Sequence, residues 1–272
     1  MLAPQVNIAL RAARQAGQFI RRAAEDVQHL TVEKKGLNDY VSEVDRAAEA
    51  RIIEVLRKAY PRYSILGEET GLIEGQGEDA RWQWIIDPLD GTTNFLHGFP
   101  QFCVSIALAF DGKIEHGVIY DPLREEEFTA TRGRGAALNG RRLRVAQLSG
   151  LEGALIGTGF PFRKDQVPHV DAYMGMLRDI MANTAGLRRA GSAALDLAWV
   201  AAGRMDGFWE IGLQEWDMAA GSLLITEAGG LVGDLTGGHR HLQSGNIVGG
   251  NPKVFKALLQ KIQPHLTDTL RR

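Results

Sequence analysis

Asp87 and Asp90 flank a proline in the run Trp84-Ile85-Ile86-Asp87-Pro88-Leu89-Asp90-Gly91-Thr92-Thr93-Asn94, where a glycine and two threonines follow directly. Carboxylates at this density suit a hard divalent cation, because Mg2+ takes oxygen ligands and is held by a few carboxylates together with substrate phosphate. A helix starting at Gly91 and Thr92 would aim free backbone N–H groups at an anion beside that cation. The run therefore predicts a metal-assisted phosphate site, against the plainer reading of a Pro-Gly turn with solvated acids.

Further acids stand at places from which they could join this site. Glu68 and Glu69 follow the short apolar run 63–66, and Asp217 lies in Glu215-Trp216-Asp217-Met218-Ala219-Ala220-Gly221 at an expected helix start. Each alone has a simpler use. Glu68 reads as a solvated loop acid, Asp217 as a helix N-cap, and Asp45 as the third-position acid of a capping box, Ser42-Glu43-Val44-Asp45. Nucleophilic chemistry finds little support. Cys103 sits inside the apolar run 102–110, no Gly-x-Ser-x-Gly elbow is present, and the seven histidines lack zinc-type spacing.

Elements that could position these acids follow from periodicity. Val6, Ala9, Leu10, Ala13, Ala16 and Ile20 predict a helix opened by Pro4. A second helix is expected after Ser42, with a stripe of Ala48, Ile52, Val55, Leu56 and Ala59. Strands at 63–66 and 82–86 would deliver Glu68 and Asp87. The runs 102–110 and 113–120 predict a hairpin at Asp111-Gly112, and 127–131 another strand. Beyond residue 150 the pattern alternates: strands at 154–158, 207–211, 231–233 and 246–249, helices at 169–181, 193–202, 218–228 and 253–262. Stacked layers of helices and sheets are expected, an α/β architecture in the α+β sense.

The 272 residues suffice for one domain with a sizeable core and sub-halves of roughly 1–150 and 151–272. Hydrophobic residues at 44% and charged residues at 24% exclude a disordered chain. A net charge of −2 gives no global attraction to nucleic acid or anionic membrane, so direct nucleic-acid binding is not expected. One cysteine forbids an intrachain disulfide and fits a reducing compartment. No signal-like leader and no run of ~20 apolar residues occurs, so a cytoplasmic location is expected and membrane association is not.

Gly67-Glu68-Glu69-Thr70, the run 84–95 and Trp216-Asp217-Met218-Ala219-Ala220-Gly221 resemble, in order and spacing, the signatures of the inositol monophosphatase family. The stretch Arg188-Arg189-Ala190-Gly191-Ser192-Ala193-Ala194-Leu195-Asp196-Leu197-Ala198 is similar to the family's bacterial branch. The resemblance spans nearly the whole chain. It implies a layered α-β-α-β-α sugar-phosphatase fold and Mg2+-dependent hydrolysis of myo-inositol 1-phosphate and related polyol monophosphates. By this resemblance Glu68, Asp87, Asp90 and the backbone carbonyl of Leu89 are metal ligands, and Asp217 is the ligand of a second ion. Asp45, Thr92 and Glu68 orient the attacking water. Substrate contacts fall on Glu68, Leu89, Asp90, Gly91, Thr92, Arg188, Ala193, Glu210 and Asp217, with Gly91 and Thr92 as the phosphate cradle. Lys34 or Lys35 corresponds to a lysine near a third metal.

The chain length and Glu210 favour a small polyol monophosphate over the fructose bisphosphates and bisphosphate nucleotides of neighbouring families. The resemblance further implies a homodimer and, for bacterial members, an accessory role in ribosomal RNA transcription antitermination through transcription-elongation proteins. Arg132, Arg134, Arg141, Arg142 and Arg144, with the pair Arg188-Arg189, are the basic stretches that could serve such a partner. A solvated face is the alternative reading of both.

Overall fold

A helix that buries one residue in three or four needs a flat partner, and the first two helices find it in a large sheet. The structure, a computed structural model, describes residues 2–29, 32–36 and 39–271. The side chains of Ser42, Lys34 and Lys35, singled out above, lie outside the described residues. Helix α1 (Pro4–Ala23) has proline in its first turn, where a missing N–H costs nothing, and buries the predicted stripe from Val6 to Ile20. A short antiparallel pair, β1 (Val32–Gly36) and β2 (Asp39–Ser42), leads into α2 (Glu43–Ala59), which packs beside α1.

The sheet beneath them contains β3 (Ser64–Gly67), β4 (Gly71–Ile73), β5 (Trp82–Asp90), β6 (Cys103–Phe110), β7 (Lys113–Asp121), β8 (Glu126–Thr131), β9 (Gly135–Leu138) and β10 (Arg141–Arg142). Its order is β10-β9-β8-β7-β6-β5-β3-β4, antiparallel throughout except for the parallel pair β3–β5. Strand β6 shows why its run is apolar without a break. Val104, Ile106 and Leu108 join the core under α1 and α2, while Cys103, Ala107 and Ala109 join the core on the opposite face. A strand covered on both faces loses the polar half of its alternation. Asp111 and Gly112 both take positive φ, +48° and +75°, as the hairpin turn requires.

That opposite face is covered by α5 (Ala193–Ala201) and α6 (Glu215–Glu227), which pack on each other and form a middle layer. A five-stranded sheet follows, in the order β12-β11-β13-β15-β14: β11 (Leu155–Thr158), β12 (Gly186–Arg188), β13 (Gly207–Glu210), β14 (Leu231–Gly233) and β15 (Ile247–Gly250). Phe208 and Ile247 face the middle layer. Trp209 and Val248 face outward, where α4 (Val170–Met181) and α8 (Pro252–Ile262) complete a third core. Two short helices, α3 (Thr92–Leu96) and α7 (His241–Ser244), sit at strand ends. The layering is α-β-α-β-α, as expected.

Two details depart from the sequence expectations. Helix α6 begins at Glu215 rather than 218, because Gln214 caps it and Asp217 answers as the third-position acid of a capping box; Asp217 is not the N-cap. Strands β1, β2, β4, β9, β10 and β12 were not expected. They span two to five residues, too few to establish alternation, and Arg141 and Arg142 carry no apolar signal at all.

Candidate active site

The parallel pairing of β3 and β5 brings the first two acids together. Gly67 is in register with Ile86, and the N–H of Glu68 donates to the Ile86 carbonyl at 3.1 Å, so Glu68 and Asp87 leave their strands side by side. Asp87 and Asp90 are three residues apart, a spacing that in a regular strand points side chains to opposite faces. A bulge resolves this. Asp87 pairs with Ser105 and Asp90 with Cys103, so β5 carries two intervening residues where β6 carries one. The extra residue turns both carboxylates to one side. Pro88, which has no N–H to give to a ladder, occupies the bulge, and the Leu89 N–H donates to Asp87 Oδ1 at 3.0 Å.

The third acid comes from the other half of the chain. Asp217 Oδ2 accepts the N–H of Gln214 at 2.7 Å, which fixes its carboxyl at the start of α6. Ligand atoms of Asp87, Asp90 and Asp217 then lie within 4.8 Å of one another. Asp90 is tied across as well: its Oδ2 accepts from Ser192 Oγ at 2.6 Å and the Ala194 N–H at 2.7 Å, with the Cys103 thiol at 3.8 Å.

Beside the acids the backbone turns sharply. Gly91 has φ +98°, and a Cβ there would come within 2.8 Å of the Gln101 carbonyl, so only glycine fits. Thr92 opens α3, and its hydroxyl donates to Asp45 Oδ1 at 2.8 Å while lying 3.1 Å from the Leu89 carbonyl. Asn94 Nδ2 donates to the carbonyls of Gln101 (2.7 Å), Ala190 (2.8 Å) and Gly191 (3.2 Å), which holds the loop before α5 against α3.

Electrostatics test whether a cation suits this cluster. Burial raises the Asp87 carboxyl well above the ordinary carboxylate range, and the charges of Glu68, Asp90 and Asp217 push it further. Burial also raises Asp90, against the hydrogen bonds from Ser192 and Ala194. Asp217 is pushed up to about 7, first by burial and then by Asp90. Without a cation, burial and mutual charge oppose the ionisation of three crowded carboxyls. A divalent cation reverses that sign, and a donor set of oxygens without histidine or thiolate ligands selects a hard one. The residues fit the group.

Glu68, Asp90, Gly91, Thr92, Ala193, Glu210 and Asp217 all line one cleft. Leu89 is buried in the core under α1 and α2, which leaves only its carbonyl toward Thr92. Arg188 does not join them. Its guanidinium is exposed and bonds the Leu187 carbonyl at 2.9 Å, and the arginine that lines the cleft is its neighbour Arg189. In a strand, adjacent residues face opposite sides, and β12 ends at Arg188. Arg163, Gln166, Ser192 and Asp196 also line the cleft and carried no functional signal in the sequence. A Gly-Ser pair before an apolar helix could have marked Ser192 as a cap, but its bond to Asp90 spans 102 positions. Cys103 is buried and its thiol is pushed up by burial, in keeping with an inert core role.

Comparison with known proteins agrees with this geometry. The model of the inositol monophosphatase family matches residues 1–267. Nus factor SuhB of Pseudomonas aeruginosa is 62% identical over 99% of this chain and 99% of its own length. The crystal structure of extragenic suppressor protein suhB from Bartonella henselae superposes with a TM-score of 0.92 at 49% identity, over 96% of this chain and 98% of that one. The Thermotoga maritima IMPase gives 0.86 at 33% identity, over 97% and 98%. With the family model matched over residues 1–267 and relatives this similar over nearly their whole length, the chain belongs to the inositol monophosphatase family.

Proposed function

We propose that the chain hydrolyses myo-inositol 1-phosphate and related polyol monophosphates to free polyol and phosphate, with Mg2+ as cofactor and water as nucleophile. The observation that carries this reading is the convergence of Asp87, Asp90 and Asp217 within 4.8 Å, immediately before the Gly91–Thr92 turn. Glu68, Asp87, Asp90, Asp217 and the carbonyl of Leu89 would hold the metal. Bound Mg2+ supplies positive charge against the phosphate oxygens, which a monoester that is almost inert in water requires.

The remaining work belongs to the chain itself. The Thr92 hydroxyl donates its hydrogen bond to Asp45, so its oxygen keeps lone pairs that accept a hydrogen bond from water and aim the water's own lone pair at phosphorus. Glu68, at the end of β3, is the second acceptor for that water. Gly91 and the opening of α3 admit the phosphate oxygens. Glu210 and Ala193 take the polyol hydroxyls, and of the Arg188-Arg189 pair Arg189 is the one that lines the cleft. Purified protein with Mg2+ should release phosphate from inositol 1-phosphate, and EDTA or Asp90→Asn should stop it. Turnover that survives either treatment overturns this reading.

A second reading rests on the name Nus factor carried by a relative at 62% identity. In it the chain is an accessory protein in transcription antitermination that binds transcription-elongation proteins. Capture of those proteins by both wild type and Asp90→Asn supports a surface that works without the metal site, and capture by neither removes the role. We further propose a cytoplasmic homodimer. The exposed Val170, Met174 and Met181 on α4 supply apolar surface for self-association. None of the helices among the described residues is long and apolar enough to cross a membrane. Light scattering that reads the mass of a single chain rules the dimer out.

A further inference from the structure

One fully buried acid in the cleft wall differs from the other fully buried acids of the molecule. Asp45, Glu49, Asp87, Asp90, Asp121 and Asp234 are buried, and each accepts at least one hydrogen bond from the protein. Asp196 is 1% exposed, yet its Oδ1 has no hydrogen-bond partner and its carboxyl takes part in no ion pair among the described residues. It stands on the first turn of α5, between Leu195 and Leu197 of the core. Burying a carboxyl without a partner costs stability, so this position carries an expense with no structural return.

The neighbourhood indicates what the expense serves. Asp196 lines the same cleft as the metal-binding cluster but lies outside it. Glu210 lines that wall too. Its carboxylate rests directly over Gly159, where a Cβ would overlap it. Among the described residues no donor hydrogen-bonds it, although the charges of Arg189 and Arg163 in the same cleft act on it. Burial raises both carboxyls, against the charge of Arg189, and the charge of Glu210 pushes Asp196 further. Two acceptors without donors, on the wall of a cleft that receives a phosphate ester, match a leaving group rich in hydroxyl donors.

We propose that Asp196 is a specificity-determining residue: together with Glu210 it forms an acid wall that accepts hydrogen bonds from the hydroxyls of a bound polyol. A phosphomonoester whose leaving group lacks hydroxyls leaves that wall unpaired and is disfavoured. This inference rests on the polyol-phosphatase reading above.

Asp196→Asn, nearly equal in volume, and Asp196→Ala test it in the full-length protein. In the metal-free protein both variants, or Asp196→Asn alone if the smaller side chain leaves a cavity, should melt at higher temperature than wild type. With Mg2+, kcat/KM for inositol 1-phosphate should fall about tenfold through KM, while p-nitrophenyl phosphate is turned over as before. A lower or unchanged melting temperature for Asp196→Asn identifies a structural residue and overturns the inference, as does an equal loss on both substrates. If wild type hydrolyses neither ester, the reading of function fails and this inference falls with it; if wild type hydrolyses both and the variants leave the ratio untouched, only the inference fails.

Discussion

The two walls of the cleft are built in contrasting ways. The wall from residues 67–94 comes from one short stretch: two parallel strand ends, a bulge and a glycine turn set Glu68, Asp87, Asp90 and Thr92 side by side. The facing wall draws Thr158, Arg163, Arg189, Asp196, Glu210 and Asp217 from separate strands, loops and helix starts. In the first wall the buried acids are tied by hydrogen bonds, whereas in the second Asp196 and Glu210 are left open. The local wall suits a fixed task, the metal and the phosphate. The dispersed wall can change one contact at a time, which suits selection of the leaving group.

The contrast can be broken at several points. The largest effect is expected from Asp217→Asn, the residue of the dispersed wall that we propose holds the metal. Loss of several kcal/mol of charge stabilisation should lower turnover by on the order of 10³-fold, and a variant within tenfold of wild type in phosphate release removes Asp217 from the ligand set. Next comes Ser192→Ala, which deletes the 2.6 Å bond to Asp90. The Mg2+ concentration for half-maximal activity should rise about 10- to 100-fold with little change at saturation; an unaltered Mg2+ titration shows that the cross-tie is dispensable. Glu210→Gln should act on the leaving group alone, raising KM for inositol 1-phosphate about tenfold. A pure kcat effect would move Glu210 from the polyol to the chemistry.

A smaller effect separates the walls by pH. Glu210 and Asp217 are raised to about 8 and about 7 by burial, while the unfolded chain loses those protons near the ordinary carboxylate value. Between those limits the folded state binds more protons, so stability falls as pH rises and the groups are forced to ionise. The melting temperature of metal-free protein should therefore drop by a few degrees from pH about 6.5 to about 8. Mg2+ should cancel the Asp217 share and leave the Glu210 share. Calorimetry showing no slope, or a slope that Mg2+ leaves unchanged, counts against a divalent cation at the Asp87–Asp90–Asp217 cluster. Finally, we propose that the two halves form one domain, so heating should give a single transition rather than two.

The architecture was legible where burial imposes a period. The stripe of α1, the doubly covered run of β6 and the Asp111-Gly112 turn could each be read residue by residue. Asp87 and Asp90 were legible because one bulge packs them into four consecutive positions. Arg189 was not, since its choice over Arg188 depends on how the chain leaves the short strand β12. Ser192 and Asn94 were hidden for another reason: their partners lie about a hundred positions away, a separation no local pattern reports. The start of α6, expected at 218 with Asp217 as its cap, lies three residues earlier because Gln214 is a weak N-cap signal.

The cross-tie from Ser192 and Ala194 to Asp90 joins positions 102 and 104 residues apart, one in each half of the chain. A truncated product ending near residue 150 would still display the entire Asp-Pro-Leu-Asp-Gly-Thr-Thr signature, yet its central aspartate would lack the hand that steadies it. Signature and working site are therefore separable properties in this protein, and a genome fragment that preserves the former is no evidence for the latter.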